Sequence, residues 1–206
     1  MSIPADSPSS KLAVQMYLDE VADEIRPGDV LLFRGAFLHS RLIQRFTRSV
    51  YSHVGIIHRP TTAGIETLDV LEAKEGSGVQ SFPLARYLER GDLVDWFRMT
   101  DDNIDRDAVV RWAWERRGAR YASWRQFGRS FFYLPLCELL RLDTKIDRDR
   151  WFCSFFVSEA LAAGGWQPAA DDFLEHHQTD PGAVARFTCL QRMGPLKLRK
   201  VKQHGT

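Results

Sequence analysis

Trp151-Phe-Cys-Ser-Phe-Phe-Val-Ser-Glu-Ala-Leu161 is the stretch on which the reading of the fold turns. It is an apolar segment of helical pattern that runs to Ala163 and stops at Gly164-Gly165, residues suited to a helix C-terminus. Its one cysteine, Cys153, stands at the front. A thiolate there is favoured by unpaired backbone N–H groups and the positive end of the helix dipole, and a nearby imidazolium would favour it further. Far upstream, the strand-like run His53-Val-Gly-Ile-Ile57 carries an imidazole. A thiol on a helix and an imidazole on a strand are the two halves of a nucleophile and base pair.

Working outward, residues 1–9 are small, polar and Pro-rich, and are expected to form a flexible tail. Ser9 or Ser10 then caps a helix whose Val14, Leu18, Val21 and Ile25 share one face and which stops before Pro27-Gly28. Asp29 to Arg34 reads as a buried strand, and Phe37 to Arg48 as a helix with Leu38, Leu42 and Phe46 aligned. Three strand-like runs follow, His53 to Arg59, Glu66 to Lys74 and Asp92 to Met99, punctuated by Pro60-Thr-Thr-Ala-Gly64 and Gly76-Ser-Gly78. Pro83 and Gly91 frame a short helix before the last of them.

Asn103 to Arg117 is helical in pattern, with Gly118 placed to end it. The apolar run Phe131 to Leu142 reads either as a core helix broken at Pro135 or as a lid over a site. Residues 166–182 read as loop or short helix, and Pro181 to Phe187 as another helical turn. Leu196 to Lys202 alternates apolar and basic residues, as a half-exposed edge strand does.

The bulk numbers suit one domain, over residues 10–206, with a basic C-terminal tail. A chain of 206 residues, 44% hydrophobic and 12% aromatic, can bury a full core. Lys and Arg number 28 against 27 Asp and Glu, so no overall field favours nucleic acid or an anionic membrane. Cys137, Cys153 and Cys189 form neither a disulfide framework nor a CxxC motif. The N-terminus lacks the charged and apolar regions of a signal peptide, and no apolar run approaches the roughly 18 residues of a membrane span. A cytoplasmic location is the expectation.

Hydrolysis of an amide by cysteine needs a thiolate, an imidazole that activates the thiol and later protonates the leaving amine, and a group that orients the imidazole. Cys153, His53 and Glu72 suit these roles. Nineteen residues and one turn separate His53 from Glu72, which suits neighbouring antiparallel strands bearing both side chains on one face. Taken singly, each has a plainer explanation: a small core cysteine, a strand histidine bonded to a carbonyl, a glutamate paired with an arginine. His176-His177 near Asp171, Asp172 and Glu175 lack the spacing of a zinc site, so no metal is expected. Ser52 and Ser154 lie in no GxSxG elbow. His39 and His58 read as surface or packing residues. Neither GxxxxGK[ST] nor GxGxxG occurs, and no cofactor is implied.

In order along the chain, Pro27-Gly-Asp-Val-Leu-Leu-Phe33, Tyr51-Ser-His-Val-Gly-Ile-Ile57, Val70-Leu-Glu-Ala73, Gly118-Ala-Arg-Tyr121 and Phe152-Cys-Ser-Phe-Phe-Val157 together resemble a known family. They resemble the circularly permuted branch of the NlpC/P60 papain-like superfamily, the YiiX-like group, related to lecithin:retinol acyltransferase-like proteins. The resemblance implies an α+β fold in which an antiparallel sheet carries the histidine and the cysteine helix packs against it. It implies Cys153 as nucleophile, His53 as base and Glu72 as the third polar residue. Tyr121 matches an aromatic near the site, and with Ser52 and Ser154 makes up the candidate substrate pocket. The family's Gly-x-x-Tyr-Asp pattern reads Tyr121-Ala122 here, so the acid that follows the tyrosine is missing.

The activity so implied is cleavage of an amide bond in a cell-wall-type peptide, a peptidoglycan fragment or an N-acyl amide, through a thioester. Lipid deacylation or acyl transfer at the same site, supported by the apolar 131–142 run, is the alternative. A pocket that binds peptide or lipid without turnover is the reading from a different class. The lack of a signal peptide sits awkwardly with intact cell wall as the substrate.

Overall fold

The computed structural model describes residues 8–35, 44, 48–74, 76–121, 150–151, 153–168 and 179–196. The chain runs α1 (Pro8–Val21), β1 (Val30–Arg34), β2 (His53–His58), β3 (Thr61–Thr62), β4 (Ile65–Glu66), β5 (Asp69–Lys74), β6 (Gly78–Pro83) and α2 (Leu84–Glu89). It continues through β7 (Leu93–Met99), α3 (Arg106–Glu115), β8 (Arg120–Tyr121), β9 (Arg150–Trp151), α4 (Cys153–Ala163), α5 (Pro181–Val184) and β10 (Leu190–Leu196). Six strands form one antiparallel sheet in the order β10-β7-β1-β2-β5-β6, so the fold is α+β.

Helices cover both faces of this sheet, which explains why β1 and β2 are apolar almost throughout instead of alternating. On one face Val30, Leu32, Val54, Ile56, Leu71 and Ala73 pack under Val109 and Ala113 of α3 and Phe156, Val157 and Ala160 of α4. On the other, Leu31, Phe33, Ile57, Val70 and Trp96 pack under Val14 and Leu18 of α1 and Leu84, Tyr87 and Leu88 of α2. Gly164 lets α4 end against α3. A Cβ there would stand 2.5 Å from Val109 Cγ2 and 2.8 Å from the Asp105 carbonyl oxygen, and the Gly164 carbonyl accepts from Asp105 N–H at 2.8 Å.

Asp29, inside the Pro27-Gly-Asp-Val segment, is fully buried and ties the sheet to α3. Its carboxylate accepts from the indole N–H of Trp96 (2.9 Å), the backbone N–H groups of Met99 (3.2 Å) and Arg26 (3.1 Å), and the Arg106 guanidinium (2.8 Å). Arg106 also donates to the carbonyls of Pro27 and Met99. A second buried carboxylate, Asp95, fastens the edge strand: Tyr51 donates to it at 2.6 Å, and Arg34 and Arg192 pair with it from β1 and β10.

Several elements differ from the sequence reading. The first helix ends at Val21, and Ile25 reaches the core from the following turn. The run 66–74 divides, because Ile65–Glu66 folds back on Thr61–Thr62 as a small hairpin. Residues 78–83 form a strand that polar Gln80 and Ser81 conceal; β6 exists through its pairing with β5 and through Val79, whose N–H and C=O bond to Ala119 and Gly118. An edge strand that the sequence reading did not include lies at Leu190–Leu196, with a bulge between Arg192 and Gly194. The expected 37–48 helix (Gln44 and Arg48 apart), His39, Ala122, the 131–142 run with Cys137, His176-His177 and their acidic neighbours, and residues 197–206 lie outside the described residues.

Candidate active site

The imidazole and the carboxylate meet because of strand register. β2 and β5 pair with Ile56 opposite Leu71, which sets Gly55 opposite Glu72 and leaves His53, two residues back on the same face, diagonal to it. Across that diagonal His53 Nε2 and Glu72 Oε2 are 2.5 Å apart. Gly55 provides the necessary room. A Cβ there would lie 2.6 Å from Val70 Cγ1, 3.0 Å from the Leu71 carbonyl oxygen and 3.4 Å from Glu72 Cβ, so any side chain would push β5 away from β2. On the far side His53 faces its β1 partner Phe33, with ring centroids 5.5 Å apart.

Cys153 is the first residue of α4, whose apolar side packs on the sheet. β9, paired in parallel with β8 so that Trp151 lies beside Tyr121, delivers the chain to this point. The first turn of α4 is then anchored. Ser154 donates from Oγ to the Thr179 carbonyl, Ser158 donates to the Ser154 carbonyl at 3.0 Å, and Asp180 caps α5 by accepting from Gly182 and Ala183 N–H at 2.6 and 2.9 Å. Cys153, 7% exposed, lies near enough to His53 to raise the imidazole pKa.

The electrostatics follow from this grouping. Burial alone would push the His53 pKa down, but the Glu72 carboxylate and the Cys153 sulfur on either side outweigh it and raise the imidazole to about 10. Burial alone would raise the Glu72 carboxyl, yet the charge and hydrogen bond of His53, with Tyr87 and Lys74 adding to them, hold it below the usual carboxylate range. Glu72 is completely buried and His53 is 22% exposed, so the pair is shielded from solvent screening. This sets a pH window. With an unfolded histidine near pKa 6.5 and a folded one near 10, the His53 contribution is complete below about 6.5 and is lost as pH rises through about 10. The Glu72 contribution is present above the ordinary carboxyl range of about 4.3 and is lost as pH falls through the lowered folded value. The stability difference between the native chain and a His53→Gln/Glu72→Gln variant, measured by urea denaturation, is therefore expected to be greatest between about pH 5 and 6.5, to shrink as pH rises from there and be gone above about 10, and to shrink again in acid as the Glu72 carboxylate is protonated. A difference that is flat with pH would show that the pair is not ionised.

Of the residues read from sequence, His53, Glu72 and Cys153 come together. Ser52 and Ser154 are buried and bonded to main chain: Ser52 Oγ accepts from Gly35 N–H at 2.9 Å and lies 3.4 Å from the Phe33 carbonyl oxygen. Both serines shape the walls that carry His53 and Cys153. The Tyr121 backbone pairs with that of Trp151. His58 is a packing residue, its ring 4.7 Å from that of Trp114. The sequence reading passed over Phe33 and Tyr87 as site residues. Their rings lie 5.0 Å apart, giving a row Tyr87, Phe33, His53 alongside Glu72. The short framed helix was legible in the sequence, but nothing there aimed Tyr87 at Glu72.

No family model matches the chain, and no curated protein matches it. Among solved structures it is similar to the metalloprotein YiiX from Escherichia coli O157:H7 (DUF1105), at 19% identity and a TM-score of 0.54, over 81% of this chain and 95% of that one. The likeness is one of fold. Among the described residues no group of three or more His, Cys, Asp or Glu side chains is arranged to hold an ion. Among the described residues, no helix is long and apolar enough to cross a membrane.

Proposed function

We propose that the chain is a cysteine hydrolase of the circularly permuted papain-like NlpC/P60 type, cleaving an amide bond through Cys153, His53 and Glu72. The observation that carries the reading is the 2.5 Å contact between His53 Nε2 and buried Glu72, on the imidazole that Cys153 adjoins at the start of α4. A structural histidine has no need of a buried carboxylate on one side and a thiol on the other. Enzymatic thiols are activated by this grouping of base and orienting acceptor.

In the proposed reaction the Cys153 sulfur attacks the carbonyl carbon, forming a C–S bond while the carbonyl π pair moves to oxygen. The Cys153 backbone N–H, a first-turn amide of α4 and so without an acceptor inside the helix, helps to hold that oxygen. As the intermediate collapses the C–N bond breaks, and the proton held by His53 passes to the leaving nitrogen. Water then attacks the thioester, His53 takes a proton from it, and the C–S bond breaks to release acid and thiolate. Glu72 keeps the ring oriented and offsets its charge throughout.

The substrate class is a peptide, a peptidoglycan fragment or an N-acyl amide. The test is to incubate the purified protein with panels of muropeptides, N-acyl amides and acyl esters, following products by mass spectrometry and trapping any acyl group on Cys153 with acid. Amide cleavage with an acyl adduct on Cys153 is the expected result. Fatty acid release from esters alone would transfer the site to lipid deacylation. Ligand binding that survives Cys153→Ala, with no turnover by the native chain, would make the protein a binding module.

A further inference from the structure

We infer that Tyr87 is a positioning residue for this site, its phenol hydroxyl serving as the second donor to Glu72 and fixing the carboxylate so that Oε2 is presented to His53. The inference rests on the hydrolase reading and extends it to a residue on α2, on the face of the sheet opposite α4. Its basis is an accounting of buried polar atoms. Glu72 is fully buried and carries two oxygens, of which Oε2 contacts His53. Oε1 has no regular hydrogen-bond partner among the described residues; Lys74 Nζ stands 3.8 Å away, at the limit of an ion pair and on a side chain 41% exposed. The Tyr87 hydroxyl is the complementary case, a buried donor on a residue 3% exposed that likewise lacks a regular partner. A buried carboxylate oxygen and a buried phenol left unpaired would each carry the cost of lost hydration, and both costs vanish if they bond to each other.

The surroundings leave the phenol little choice. Its ring is held by Phe33 at 5.0 Å, and the same Phe33 ring backs His53, so Tyr87 and His53 flank one aromatic wall while Glu72 spans them. The electrostatic influence runs both ways: burial foremost, then the adjoining Glu72 charge, push the Tyr87 phenol well above its usual range and keep it a donor, while the phenol helps to hold the Glu72 carboxyl low. Glu72 then has one donor per oxygen. It cannot rotate away from His53 without giving up both.

Tyr87→Phe removes the hydroxyl and keeps the ring against Phe33, so the fold should survive, as near-ultraviolet circular dichroism and the melting temperature will show. The readout is the pH profile of Cys153 alkylation by iodoacetamide, which needs no substrate. A hydrogen bond to a charged group stabilises the carboxylate, so its loss raises the Glu72 pKa and moves the acid limb of the profile up by about one pH unit, a fall of about tenfold in rate at a fixed pH on that limb. The limb belongs to the coupled Glu72, His53 and Cys153 set. In a Glu72→Gln background, Tyr87→Phe should change nothing further. A folded Tyr87→Phe protein with the native profile overturns the inference, as does an additional loss in the Glu72→Gln background. If the native protein itself shows no His53-dependent alkylation at Cys153, the hydrolase reading falls and the role of Tyr87 falls with it; a native response with an unmoved Tyr87→Phe profile removes Tyr87 alone.

Discussion

Replacing His53 by alanine is expected to lower turnover of any amide substrate by about 10²- to 10⁴-fold, the usual contribution of a positioned acid–base group, and replacing Cys153 by alanine is expected to abolish it. The two effects should not add. The imidazole acts by moving the proton of the Cys153 thiol and that of the leaving group, so once the sulfur is gone there is no step left for His53 to assist. The double variant should match Cys153→Ala alone. Cys153→Ala should fold, being a small change at a helix start; His53→Ala leaves the buried Glu72 carboxylate without its partner, so its melting temperature is measured beside its activity. Assays on the substrate found in the panel, with kcat and KM separated, check this. A Cys153→Ala protein that still turns over would remove the thiol from the mechanism.

Asp29→Ala is expected to be the most destabilising of the simple substitutions, by about 3–5 kcal/mol, because it removes one partner of a buried ion pair and leaves the other in place. Asp29 has no solvent exposure and accepts from Arg26, Trp96, Met99 and Arg106 at 2.8–3.2 Å. The Trp96 indole, the Met99 amide and the Arg106 guanidinium would all lose that acceptor. Arg106 is one quarter exposed and keeps its bonds to the Pro27 and Met99 carbonyls, which limits the loss. Asp29→Asn, retaining an acceptor but not the charge, should fall between. Urea denaturation at neutral pH measures both, and a loss below about 1 kcal/mol for Asp29→Ala would show that the cluster contributes no more than a surface pair.

The sheet was legible where its strands are apolar on both faces. Val30–Arg34, His53–His58 and Leu93–Met99 read directly, because burial from both sides writes itself into the sequence as continuous hydrophobic runs. β6 did not, since Gln80 and Ser81 carry no such signal and the strand exists only through β5 and the 118–119 segment. The pairing of His53 with Glu72 was legible as a spacing of nineteen residues across one turn, and the register shows why it works: Gly55 leaves the diagonal open. Tyr87 was not legible. It stands on the face of the sheet that carries Val70 and Glu72 because a six-residue helix packs there, a relation between distant segments that no local period records. The Pro27-Gly-Asp29 segment entered the sequence reading as part of a resemblance; the structure makes it the buried tie between sheet and α3.

The central claim is that His53 governs the reactivity of the Cys153 thiol. Cys189, also buried at 3% exposed against 7%, serves as the internal reference. The direct measurement is the rate of carbamidomethylation of each cysteine by iodoacetamide at neutral pH, read by mass spectrometry in the native chain and in His53→Ala. The account predicts that Cys153 reacts at least about tenfold faster than Cys189 in the native chain, as a thiol made nucleophilic by an adjoining base does, and that this advantage disappears in His53→Ala. Equal rates at the two cysteines, or a Cys153 rate that His53→Ala leaves untouched, would contradict it.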